Sequence, residues 1–207
     1  NNDIKSIRDI YVKSSINQLI LGGFIFLGVW MNIDDGLSLL PLKFKGGKLI
    51  VLFISISQLF NVATGLNGLI ISNSKYYKFD LYSNFILLLI TIFSNFIFIP
   101  TNSPLANYDI VGINGAAFAT ALSVFIYNTI KLIYLYWKLK IQPFNIKTLY
   151  TILLLISIIT LSYFIPKFEN LFINISFRSI LILIIFIPIM YWLKLSDDIN
   201  KIISKEL

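Results

Sequence analysis

The chain has 207 residues, 57% of them hydrophobic and only 13% charged, with 18 Phe and 11 Tyr. A soluble domain carries about 25% charged residues, and a mean hydropathy of +0.81 excludes that class together with collagen-like and disordered chains. The net charge of +7 is spread without any compact basic run, which argues against a nucleic-acid partner, and the lack of His and Cys removes disulfides and the usual ligands of zinc, haem and redox metals.

The chain opens Asn1-Asn-Asp-Ile-Lys-Ser-Ile-Arg, which is not a signal peptide, and it reads as a piece of a longer protein. A bilayer core about 30 Å thick needs about 20 mainly apolar helical residues. Six segments meet that length: 14–33, 49–72, 81–100, 113–137, 148–166 and 173–194. Runs such as Ile152-Leu-Leu-Leu-Ile-Ser-Ile-Ile do not alternate, so a membrane β-barrel is excluded. The expected fold is an all-α integral membrane protein of six transmembrane helices in one helical domain, with a short tail at 195–207.

Six crossings put both termini on one side. That side carries twelve Lys and Arg, from Lys5 to Lys205, against five (Lys43, Lys45, Lys48, Lys167 and Arg178) on the other. The positive-inside rule then makes both ends cytoplasmic. Trp30, Tyr76, Tyr77, Trp137 and Trp192 fall near the expected helix ends, as interfacial rings do. Pro188 falls inside the last helix and is expected to kink it.

Polar residues in the apolar spans follow the helical period. On the second helix Ser57, Asn61, Thr64, Gly65 and Gly68 make one face with Gln58 and Asn67 beside it, and on the third Asn84, Thr91 and Asn95 recur on one side. Two readings stand: interhelical hydrogen bonds that hold the helices together, or the lining of a water-filled cavity for a polar or sugar-like substrate. The fourth helix carries two small-residue lines, Gly115/Ala119/Ser123 and Gly112/Ala116/Thr120, which suit close helix packing. None of the six expected cores contains Asp or Glu. Lys131 and Arg178 lie near span ends, where they could reach outward to headgroups or bind an anion. No metal site, cofactor motif or catalytic residue set is present, so transport fits the residue inventory better than enzyme chemistry.

Four stretches carry a resemblance: Asn61-Val-Ala-Thr-Gly-Leu-Asn-Gly followed by Ser74-Lys-Tyr-Tyr-Lys-Phe-Asp-Leu-Tyr, then Gly112-Ile-Asn-Gly-Ala-Ala-Phe-Ala-Thr, then Tyr127-Asn-Thr-Ile-Lys-Leu-Ile-Tyr. In order and spacing the chain resembles the carboxy-terminal half of bacterial polysaccharide-biosynthesis membrane proteins. These are lipid-linked oligosaccharide flippases of the O-antigen type, related to multidrug and toxic-compound extrusion exporters. The resemblance implies a transporter of about twelve to fourteen helices in two inverted bundles, of which this chain is the second bundle and terminal helices. It further implies a polyprenyl-diphosphate-linked oligosaccharide as cargo in the bacterial inner membrane, no cofactor, and as partners membrane lipids, an N-terminal bundle of the same protein and a polysaccharide polymerase or ligase. Under it Asn61, Thr64 and Asn67 line the cavity, and the polar periodicity adds Ser57, Asn84 and Asn95 as further cavity candidates. Lys75 and Lys131 are diphosphate or interface contacts, and Gly112, Gly115, Ala116, Ala119, Thr120 and Ser123 form a packing face. An exporter of small drugs or metabolites, or a scaffold for glycan-synthesis enzymes, remains the alternative.

Overall fold

The computed structural model describes the backbone of residues 2–206 and the side chains of residues 3–204. Lys205, counted above among the basic residues of the terminal side, has its side chain outside that range. Within it the chain is all-α: α1 (Asn2–Met31), α2 (Ile33–Ser38), α3 (Lys48–Thr64), α4 (Asn67–Ser72), α5 (Tyr77–Phe98), α6 (Gly112–Leu139), α7 (Ile146–Ser162), α8 (Leu171–Trp192) and α9 (Asp197–Glu206), with 3-10 turns at Leu42–Gly47 and Ala106–Tyr108.

Five of these are long and apolar enough to cross a membrane: α1, α3 with its 3-10 lead-in, α5, α6 and α8. The remaining expected span, 148–166, corresponds to the shorter apolar α7. The 17 residues of α7 rise only about 26 Å, the low end of what a bilayer core requires. Several long apolar helices in antiparallel succession are consistent with a multi-pass helical membrane protein.

Two corrections concern the first two expected spans. The helix expected at 14–33 starts twelve residues earlier, because Ile4, Ile7 and Ile10 continue its apolar period beyond the membrane-length segment. The helix expected at 49–72 is two helices, broken at Gly65 and Leu66. The expected tail at 195–207 is mostly the amphipathic α9, whose Ile199 and Ile203 pack on the core. Pro188 lies inside α8, which continues through it.

The helices form two groups joined by α1. One face of α1 packs on α7 and α8 through Ile16, Ile20, Leu27, Leu155, Ile158, Ile182 and Phe186. On its other side α1 meets α3, and α3 and α5 both run along α6. Near the end that holds the termini, Tyr11, Ile71, Leu135 and Ile141 make a second, smaller core. Ring stacking ties α6 to its neighbours: Phe79 lies 3.5 Å from Tyr134 and Phe60 lies 4.3 Å from Phe125, centroid to centroid. The contact of α5 with α6 is closest at Gly115, where an added Cβ would stand 1.8 Å from the Phe98 carbonyl oxygen; no other residue fits there. The outer face of α5, including Leu81, Phe85, Phe93 and Phe96, is exposed, as suits a surface solvated by acyl chains or by a further protein bundle.

Candidate functional site: a polar cluster at a broken helix

The break between α3 and α4 has local causes. Thr64 Oγ1 lies 2.8 Å from the Asn61 carbonyl oxygen, a side-chain bond that competes with the helix ladder. Gly65 then takes φ +57° and ψ −120° and its N–H donates to Val62 O at 3.0 Å. Positive φ at this residue suits glycine, and so does the space. A Cβ on Gly65 would meet Ser15 Oγ at 2.3 Å and Ser15 Cα at 3.2 Å. On the far side Asn67 is the first residue of α4, and its Oδ1 accepts from the Gly68 N–H at 2.6 Å.

Asn128 of α6, 1% exposed, is the hub that joins the two half-helices. Its Nδ2 donates to Asn61 Oδ1 at 3.1 Å and to Val124 O at 3.0 Å. Its Oδ1 accepts from Asn67 Nδ2 at 3.1 Å and lies 3.2 Å from Thr64 Oγ1. The single Thr64 proton is therefore shared between this oxygen and the Asn61 carbonyl. Asn61 Nδ2 donates onward to Gln58 Oε1 at 3.2 Å.

One turn nearer the terminus-bearing end lies a charged ladder. Asp80 and Asn84 sit four apart on α5, and Tyr127 and Lys131 four apart on α6. Lys131 Nζ is 2.7 Å from Asp80 Oδ1 and donates to the Tyr127 hydroxyl, which donates to Asn84 Oδ1 at 2.6 Å. The ammonium is 4.2 Å from the Tyr127 ring centroid, an arrangement that adds cation–π attraction. Gly68 of α4 leaves the room: a Cβ there would come within 3.2 Å of Lys131 Nζ. Lys131 stands about 12 Å, eight residues, inside the end of α6.

Two expectations change here. Asp80 lies in the first turn of α5, so the helix that carries the third expected span holds a carboxylate just before that span, because it begins at Tyr77 and not at residue 81. Lys131 does not reach outward to headgroups; its side chain is 3% exposed and turned inward onto Asp80.

The other predicted positions separate. Asn61, Thr64 and Asn67 meet in the amide cluster, whereas Asn84 belongs to the neighbouring charged ladder through Tyr127. Ser57 is buried, and its hydroxyl is spent on Ile54 O of its own helix. Asn95 is half-buried about 16 Å farther along α5 than Asn84 and lies apart from the cluster. Lys75 is exposed on the turn after α4, 5.2 Å from the Tyr76 ring. On α6 the line of Gly115, Ala119 and Ser123 is buried, whereas Gly112 and Thr120 are exposed and Ala116 is half-buried, so one of the two small lines faces a neighbour. Sequence reading passed over Asn128, Tyr127 and Asp80 as site residues. The available signal was three polar residues, Tyr127, Asn128 and Lys131, at one-sided spacing inside an apolar helix.

The rim of the cluster is open. Gln58, Asn61 and Asn84 are exposed, while Thr64, Asn67, Asn128 and Lys131 behind them are buried. Amides that bond one another still keep free lone pairs and N–H groups, so this face can hydrogen-bond hydroxyl-rich groups, with a fixed ion pair at its lower edge. Among the described residues no group of acidic side chains is placed to hold a metal ion. No protein-family model, curated protein or solved structure matches the chain.

Proposed function

We propose that the chain forms part of a membrane transporter that carries a polar, sugar-like headgroup on a lipid across the bilayer, with the amide cluster at the broken helix as part of its pathway. The observation that carries this reading is the exposed rim of Gln58, Asn61 and Asn84 beside the buried Lys131–Asp80 pair. Polar groups within membrane spans normally face a bundle interior or a water-filled cavity, and non-helical backbone occurs at membrane depth only where it is buried in protein or lines such a cavity. Discontinuous helices are recurrent binding elements in transporters. The resemblance to lipid-linked oligosaccharide flippases names the cargo class: the sugar hydroxyls would exchange water for the Asn61 and Asn84 amides while the polyprenyl tail stays in the bilayer. In that assembly the chain would be the second of two inverted bundles in the bacterial inner membrane, with α7 as a sixth crossing and both ends cytoplasmic. No covalent step is needed.

The test is movement of a fluorescent polyprenyl-diphosphate oligosaccharide in proteoliposomes holding the product of the complete reading frame. Protein-dependent exposure of the headgroup in the opposite leaflet, reduced several-fold by Asn61→Ala or Asn84→Ala in folded protein, supports the reading. Absence of movement across several headgroups, or movement that both substitutions leave unchanged, refutes it.

A further inference from the structure

At the end away from the termini, α8 buries a guanidinium with no carboxylate beside it. Arg178 is 9% exposed and lies about 10 Å inside the start of α8. Its Nη1 donates to Met31 O, at the end of α1, at 3.0 Å, and its Nε to Asn174 Oδ1 at a long 3.4 Å. Among the described residues the ion pairs are Lys48–Asp34, Lys131–Asp80 and Lys147–Asp197; Arg178 is in none of them. Asp35 reaches it only through Asn174, whose amide donates to Asp35 Oδ2. A guanidinium has five N–H donors, so three are left without a protein acceptor. A buried charge in that position is costly unless something else pairs with it. The negative end of the α1 dipole at Met31 supplies only part of that compensation.

Arg178 opens onto a cavity of about 170 Å³ that is also lined by Lys48, Lys167, Asp34 and Tyr163. Three cations therefore face one carboxylate, and that carboxylate is already held by Lys48 at 2.7 Å. Lys167 is exposed at the mouth. At about 30 Å³ per water the space holds a compact oxyanion and a few waters.

We infer that this cavity binds a phosphate group, with the free edge of Arg178 as the directional contact and Lys167 as the second charge. Guanidinium N–H pairs match phosphate oxygens in geometry as well as charge. Two sources share that chemistry: the headgroup of an anionic lipid in the adjacent leaflet, and a soluble phosphate. The inference stands independently of the transport reading, because it rests on other residues at the opposite end of the molecule.

Thermal unfolding of the purified 207-residue chain tests it, with inorganic phosphate in one arm and dihexanoyl phosphatidic acid in the other. Potassium chloride at matched ionic strength and dihexanoyl phosphatidylcholine are the respective references. The expected result is a saturable rise in Tm with at least one phosphate probe. Its midpoint moves roughly tenfold upward in Arg178→Gln and several-fold in Lys167→Gln, and is unmoved in Lys140→Gln, exposed at the other end. A rise with phosphatidic acid alone assigns the site to lipid headgroups; a rise with inorganic phosphate assigns it to a soluble anion. The proposal is overturned if neither probe exceeds its reference, the result expected of an arginine that only caps α1. It is also overturned if both substitutions leave the midpoint where it was. Should Arg178→Gln fail to fold, Lys167→Gln, at an exposed position, decides alone.

Discussion

Lys131 Nζ of α6 lies 2.7 Å from Asp80 Oδ1 of α5, and the two side chains are unequally buried, at 3% and 24% exposure. Removing one member of a buried pair strands the other, so this inequality predicts an order. Asp80→Asn leaves an ammonium deep among apolar side chains and should cost about 3 kcal/mol. Lys131→Met leaves a carboxylate that can still reach water and should cost about half of that. The double substitution should cost less than the sum of the two. Chemical or thermal unfolding of the three variants in detergent gives the cycle, and equal single costs would refute the asymmetry.

Gly65 and Gly28 predict opposite outcomes of the same substitution. Gly65→Ala meets both a positive φ and the Ser15 side chain, and should destabilise by about 2 kcal/mol. Gly28 lies inside α1 with nothing within 4 Å of an added Cβ. Gly28→Ala should therefore be neutral or stabilise by about 0.5–1 kcal/mol. Unfolding midpoints measured side by side separate a strained position from a merely flexible one.

On α6 the two small-residue lines should respond differently. Gly115→Ala forces α5 and α6 apart at Phe98 and should cost about 2–3 kcal/mol. Thr120→Ala, on the exposed line, should fall within about 0.5 kcal/mol of wild type. A large effect at Thr120 would mean that a partner covers that line.

Because the chain contains no Cys, single introduced cysteines can map its sidedness with a membrane-impermeant thiol reagent. Lys75→Cys and Lys140→Cys should label from one side, Lys45→Cys and Tyr108→Cys from the other. Lys167→Cys, which follows the short α7 and shares a cavity with Lys48, should label together with Lys45→Cys. Labelling together with Lys45→Cys means that α7 crosses; labelling together with Lys75→Cys means that it does not.

The helices were legible because hydropathy and period act over 20 residues at once. The same averaging hid the break at Gly65, where one backbone conformation decides the outcome against a continuous apolar background. Asp80 was missed by a boundary error of a few residues: the helix starts at Tyr77, which aromatic and charged residues had marked as interface. Periodicity could group Asn61, Thr64 and Asn67 on a face, yet it carries no information on which neighbour supplies the hub. Asn128 lies more than 60 positions away and became visible only through packing. The likeness of the two small lines on α6 shows the same limit, since spacing defines both faces equally and only the neighbour at Phe98 chooses between them. Arg178 could be placed near a span end, but its lack of a carboxylate partner is a fact of three dimensions.

The six residues of α4 touch α5 and α6, and their continuation α3 is separated from them by the left-handed turn at Gly65. Mechanically the chain thus has a joint within its second long apolar element. A small rotation there would swing α3 away from α6 while α4 stays docked, parting Asn61 from Asn128 and leaving the Lys131–Asp80 contact closed. Such a movement would break the Phe60–Phe125 and Phe53–Phe118 ring contacts as well as the amide hydrogen bonds, so packing holds the joint shut while the buried charge stays on its docked side.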